Sequence, residues 1–132
     1  MIFVDTSFWI ALRMRSDTHH CAATTLLRTH ADQPMLTTNH VRGETWTFVR
    51  RRSGHAAAVG FLDDLARSSR VQVLRVDDEL EREALRWLRR HDDREYSFID
   101  ATSFAVMREQ RIAAALAFDG DFAAAGFAEL RA

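Results

Sequence analysis

Apolar residues recur along the chain in two rhythms, and their alternation predicts the order of elements. Met1-Ile2-Phe3-Val4 is a short apolar run ending at Asp5, and Phe8, Ala11, Leu12 and Arg15 then follow at helical spacing, so a strand leads directly into a helix. A second helix is expected from His19 to about His30 with Ala22, Ala23, Leu26 and Leu27 inward, and Pro34 separates it from a short strand, Met35-Leu36-Thr37. Asn39 suits the N-cap of a helix reaching about Arg52, with Val41, Thr45, Phe48 and Val49 on one side, and Ser53-Gly54 breaks it. His55 to Arg67 reads as a further amphipathic helix, and Val71 to Val76 alternates as a half-exposed strand does. Next, Asp77, Asp78 and Glu79 favour a helix N-terminus, Leu80, Ala84, Trp87, Leu88 and His91 form a stripe, and Arg89 and Arg90 suit the last turn. After a charged loop from His91 to Glu95, Ser97 opens a helix containing Phe98, Ile99, Phe104, Ala105 and Met107. Ile112 to Phe118 is read as a strand from its length and from the Asp119-Gly120-Asp121 turn behind it.

Strands alternating with amphipathic helices define an α/β fold: a parallel sheet of four to five strands with helices on both faces. The 132 residues suit one core, and residues 1–132 are read as a single domain. Ligands of such sheets bind beyond the carboxyl ends of the strands, where the strand order reverses. Asp5 and Asp119 each stand at such an end.

Composition narrows the chemistry. A hydrophobic fraction of 47% with 28% charged residues is that of a globular protein. No window has the ~20 apolar residues of a membrane span, and the N-terminus does not resemble a signal segment, so no membrane association and a cytoplasmic location are expected. The single cysteine, Cys21, forms no intramolecular disulfide and is expected to pack. All 18 basic side chains are arginine. Without lysine, both a phosphate-binding P-loop and a receiver-type phosphoacceptor site are strongly disfavoured. The net charge of −1 argues against a nucleic-acid binder, but setting aside Asp5, Glu44, Asp100, Asp119 and Asp121 leaves 18 − 14 = +4.

Each of these acids has an ordinary structural explanation. Asp5 suits an N-cap; Ser97-Phe98-Ile99-Asp100 fits a capping box; Glu44 could pair with an arginine; Asp119 and Asp121 flank a glycine turn. Their placement argues for more. Asp100 shares a face with Phe104 and Met107, and Glu44 shares one with Val41 and Phe48, where an unpaired carboxylate is costly. Carboxylates about 4 Å apart repel by roughly 4 kcal/mol per pair at an effective dielectric near 20, so a cluster requires protons or cations between them. Oxygen ligands without His or Cys select Mg²⁺, with Mn²⁺ as an alternative, over zinc. The six histidines match no metal-binding spacing; Asp63-Asp64 and Asp92-Asp93 suit solvated surfaces.

The segments V-D-T-S, T-T-N-H-V-R-G-E-T-W, Y-S-F-I-D-A-T-S-F-A-V-M and A-F-D-G-D-F, in that order, resemble the acidic motifs of the PIN-domain nucleases, in particular the VapC toxins of bacterial toxin–antitoxin pairs. The resemblance implies a PIN-like fold and places Asp5, Glu44, Asp100 and Asp119 as the catalytic acids, all metal ligands, with Asp121 as an additional ligand. Thr6 resembles the small polar residue behind the first acid, and Gly120 stands where a larger polar or basic residue is common. The function implied is Mg²⁺-dependent endonucleolytic cleavage of RNA, either transfer RNA or a ribosomal loop such as the sarcin–ricin loop, by a homodimer neutralised by a cognate antitoxin protein. Divalent ions lower the pKa of water and neutralise charge on a scissile phosphodiester, so no protein nucleophile is required. Arginines, among them Arg42 and the run Arg50-Arg51-Arg52, suit phosphate contacts. The competing reading is a non-catalytic PIN-like module using the acids to bind a partner. An aspartyl-phosphate phosphohydrolase is disfavoured by Ser7 standing where a second acid is needed and by the missing lysine.

Overall fold

A computed structural model describes all of residues 1–132. The elements follow as β1 (Ile2–Val4), α1 (Thr6–Arg13), α2 (His20–Thr29), β2 (Met35–Thr38), α3 (Asn39–Ser53), α4 (His55–Arg67), β3 (Val71–Leu74), α5 (Asp78–Arg90), α6 (Phe98–Gln110), β4 (Ala114–Leu116), α7 (Asp121–Ala124) and β5 (Ala128–Glu129). The five strands form one sheet in the order β3-β2-β1-β4-β5, every pair parallel. The chain builds outward from β1 through β2 to β3, then returns to the other side of β1 for β4 and β5. With right-handed crossovers that reversal puts α1–α4 on one face and α5–α7 on the other. The carboxyl ends of β1 and β4 therefore flank the topological switch point.

The central strands are short and buried on both faces, as parallel sheets require: all of Ile2–Val4 and Met35–Thr38 is buried. Thr37 is tolerated there because its hydroxyl donates to the Val4 carbonyl at 2.9 Å. On the second face α6 is buried without a break from Asp100 to Met107. Small side chains at Ala101, Thr102, Ser103 and Ala105 let its backbone lie close to its neighbours. Phe104 anchors it, with ring centroids 5.1 Å from Trp87, 5.9 Å from Tyr96, 4.9 Å from Phe122 and 5.6 Å from Phe127. One residue thus joins α5, α6 and the chain around α7.

Several details differ from the pattern reading. Thr38, not Asn39, caps α3, accepting from the Val41 amide at 3.1 Å, while the Asn39 side chain accepts from the Val76 amide at 2.8 Å. His91 is exposed and only caps α5, stacking on Trp87, because the helix ends before its stripe returns to that position. Arg15 lies beyond α1 and is exposed. Cys21 is exposed on α2 rather than packed. Elements α7 and β5 were not anticipated, since four and two residues are too few to show a period. No helix is long and apolar enough to cross a membrane.

Phe104→Ala removes the ring that four aromatic side chains pack against. It is expected to destabilise the protein by about 3–5 kcal/mol, read as a lower midpoint in urea at unchanged slope; a loss below about 1 kcal/mol would show that these contacts do not hold α6 in place.

Candidate active site

Asp5 follows the last residue of β1, and its amide donates to the Leu116 carbonyl of β4 at 3.1 Å. Its side chain is the N-cap of α1: Oδ2 accepts from the Ser7 amide at 3.1 Å and from Ser7 Oγ at 2.7 Å. Ser7 Oγ in turn accepts from the Phe118 amide at 3.1 Å, so one hydroxyl fastens Asp5 to the segment leaving β4. Asp100 is the third residue of α6 and completes a capping box: its amide donates to Ser97 Oγ at 2.9 Å and its Oδ2 accepts from the Ser97 amide at 3.0 Å. The structural explanation of each acid therefore holds, and in each it engages a single carboxylate oxygen.

Asp119 and Asp121 sit beyond β4 on either side of Gly120, whose φ of +81° turns the chain. That turn brings the Asp121 amide to Asp119 Oδ1 at 3.2 Å. Glu129 of β5 supports the segment from beneath, accepting from the Gly120 amide at 3.3 Å and the Ala123 amide at 2.8 Å. Asp100, Asp119 and Asp121 each present an oxygen, all within 4.8 Å of one another. Asp5, Thr6, Ser7, Glu44 and Glu95 line the same cleft of about 400 Å³. Glu44 stands exposed at its rim rather than on a buried face; the buried stripe of α3 is Val41, Thr45 and Val49.

Burial and mutual repulsion hold protons on these acids. Desolvation, reinforced by the Asp119 charge, pushes the Asp5 carboxyl up to about 7. Desolvation, with Asp119 and Asp121 adding to it, raises Asp100 to about 6 against the opposing pull of its Ser97 bonds. Asp119 is open to solvent on one side, yet desolvation on the other raises it as well, with the charges of Asp121 and Glu129 adding to it. The one cation against the cluster is Arg94, whose Nε lies 2.9 Å from Asp121 Oδ1. Its Nη2 lies 3.4 Å from the Asp119 carbonyl and 3.5 Å from where a Cβ at Gly120 would stand.

A hard divalent cation fits this donor set. Three carboxylate oxygens converge, and Thr6 Oγ1, which lines the same cleft, is buried with no hydrogen-bond partner. Ser7, Arg94, Glu95 and Glu129 were not singled out from sequence. Ser7 had a weak signal, an Asp-x-Ser at a helix start; Glu95 lay in a charged loop, and Arg94 and Glu129 reach the site only through tertiary contacts.

The sequence model of the family described as "PIN domain" matches residues 2–128. The 23S rRNA-specific endonuclease VapC20 of Mycobacterium tuberculosis is 55% identical over 133 residues, spanning 99% of this chain and 98% of that protein. A VapC ribonuclease of Archaeoglobus fulgidus is 27% identical over 114 residues, 83% of this chain and 71% of its own length. The crystal structure of Mycobacterium tuberculosis VapC20, described as a sarcin–ricin loop cleaving toxin, covers 100% of both chains at 52% identity with a TM-score of 0.94.

Because folding raises the carboxyls of Asp5 and Asp100 from 3.8, the folded chain keeps protons that the unfolded chain has lost. Stability from these groups is full below the unfolded value and is lost as pH rises through about 6 and about 7. The metal-free protein is expected to melt at a lower temperature at about pH 8 than at about pH 5, with Asp5 accounting for on the order of 2–4 kcal/mol. In Asp5→Asn that dependence should flatten; equal pH slopes in the two proteins would contradict it.

Proposed function

The chain belongs to the PIN domain family, and we propose that it is a Mg²⁺-dependent endoribonuclease, the toxin of a toxin–antitoxin pair, cutting 23S rRNA in the sarcin–ricin loop. The observation that carries this reading is the convergence of Asp100, Asp119 and Asp121 beside Asp5 at the switch point, in a chain 55% identical, nearly end to end, to a 23S rRNA-specific endonuclease. Asp5, Asp100, Asp119 and Asp121 would hold the ion with Glu44 at the rim, and Mn²⁺ meets the same oxygen preference. When bound, a divalent cation neutralises charge developing on the phosphodiester and makes water a stronger acid.

The chain's own residues prepare the cleft for that chemistry. Ser7, the Ser97 capping box and Glu129 orient the acids before any ligand arrives, so little reorganisation is left to the reaction. Both serines in the cleft are committed to hydrogen bonds and no histidine lines it. The attacking group in this reading is a water held in the cleft rather than a side chain. In this reading an antitoxin protein silences the enzyme, the working form is a homodimer, and the compartment is the cytoplasm, where ribosomes are. The arginine-only basic surface supplies the bidentate phosphate contacts.

Asp100→Asn, which keeps the size of the side chain, is expected to lower cleavage by at least about 100-fold and to relieve growth arrest on expression while the circular dichroism spectrum is unchanged. Mapping of new 5′ ends after brief induction of the unaltered chain should give one dominant end in the sarcin–ricin loop. Full activity of Asp100→Asn would overturn the site; dominant ends in transfer RNA would overturn the substrate.

A further inference from the structure

Helix α3 carries one stripe that begins in the acidic cleft and ends among arginines. Glu44, half-buried Phe48 and Arg51 follow one another at helical spacing, with Thr47 and Arg52 beside them, flanking the buried stripe of Val41, Thr45 and Val49. These residues, with Ile99 of α6 as the far wall, line a groove of about 510 Å³. The groove is continuous with the acidic cleft, because Glu44 and Phe48 line both. Arg52 lies over the Phe48 ring, its guanidinium carbon 5.0 Å from the centroid. None of the ion pairs in the structure uses Arg51 or Arg52, so both are free to meet an external anion.

We propose that this face of α3 is the track by which the RNA strand leaves the cleft, with Phe48 a stacking platform for a nucleotide beside the cut phosphate and Arg51 and Arg52 grips on the phosphates beyond. The proposal rests on the ribonuclease reading above. The seven helical steps from Glu44 to Arg51 span about 10 Å, the rise of about three stacked nucleotides, and Phe48 falls between. An aromatic face followed by guanidiniums is the arrangement that binds single-stranded nucleic acid, bases on the ring and backbone on the charges. A basic last turn opposing the helix dipole would account for Arg50, Arg51 and Arg52 alike. It does not account for Arg51 and Arg52 sharing with Glu44 a groove that opens onto the acidic cleft while Arg50 stays outside it.

The test uses a fluorescent RNA hairpin bearing the sarcin–ricin loop, with Mg²⁺ present and Asp100→Asn as background so that the probe stays intact. Adding Arg51→Ala and Arg52→Ala should weaken binding about tenfold and cut the slope of log affinity against log salt by about 1.4. Arg51→Lys with Arg52→Lys should keep the slope, and Phe48→Leu should weaken binding roughly fivefold without altering it. Unchanged affinity and slope in the double alanine variant, or an equal loss in Arg50→Ala, overturns the track; so does acquisition of an acidic peptide, but not the hairpin, as an Arg51- and Arg52-dependent ligand. The cleavage reading is judged separately on the unaltered chain. If it cuts the hairpin while binding ignores Arg51 and Arg52, the track alone falls; if it fails to cut while binding depends on them, the track stands and the cleavage reading falls.

Discussion

Repulsion among carboxylates at the carboxyl edge of the sheet is the constraint around which this fold is arranged. Oxygens of Asp100, Asp119 and Asp121 stand within 4.8 Å of one another, and Asp5 adds its charge from β1. Left mobile, such groups would separate; here each is held by a bond from its own neighbourhood. Ser7 holds Asp5, the capping box holds Asp100, and the glycine turn with Glu129 beneath it holds Asp119 and Asp121. Burial first, and this repulsion added to it, raise the carboxyls of Asp5, Asp100 and Asp119, while the single guanidinium of Arg94 eases the charge at Asp121. A divalent cation would relieve the same repulsion more completely, so the strain of the metal-free site and the metal binding proposed for it would have one origin.

The topology explains why acids so distant in sequence meet. Reversing the strand order at β1 leaves β1 and β4 adjacent with no helix bridging their carboxyl ends, and that gap is where Asp5 and Asp119 emerge. Helices α3 and α6 then deliver Glu44 and Asp100 from opposite faces. Glu44 is the outermost of these, which suits a residue that contacts both the cleft and the groove leading from it.

Much of this was legible in the amino-acid order, and the limits are physical. Long amphipathic segments such as His55–Arg67 and Asp78–Arg90 declare themselves because their apolar stripes repeat over several turns. Asp5 was visible because an apolar run stops at it. Asp100 and Asp121 needed the ordered motifs as well, since a capping box or a glycine turn explains each alone. Glu44 lines the cleft, but from an exposed position and not the buried face its spacing suggests, because α3 turns its Val41-Thr45-Val49 side inward. What was not legible depends on contacts made only after folding. Arg94 reaches Asp121 across 27 positions and Ser7 reaches Phe118 across 111, and no local pattern encodes either pairing.

The central claim is that protonated, mutually repelling carboxyls form a site completed by a divalent cation. It is tested most directly by calorimetric titration of Mg²⁺ into the metal-free chain at about pH 6.5, in two buffers of different ionisation enthalpy. The account predicts saturable binding with net release of about one proton per ion, since Asp5 and Asp100 must give up protons as the cation arrives. Absence of binding at millimolar Mg²⁺, or binding whose heat is the same in both buffers, would contradict it.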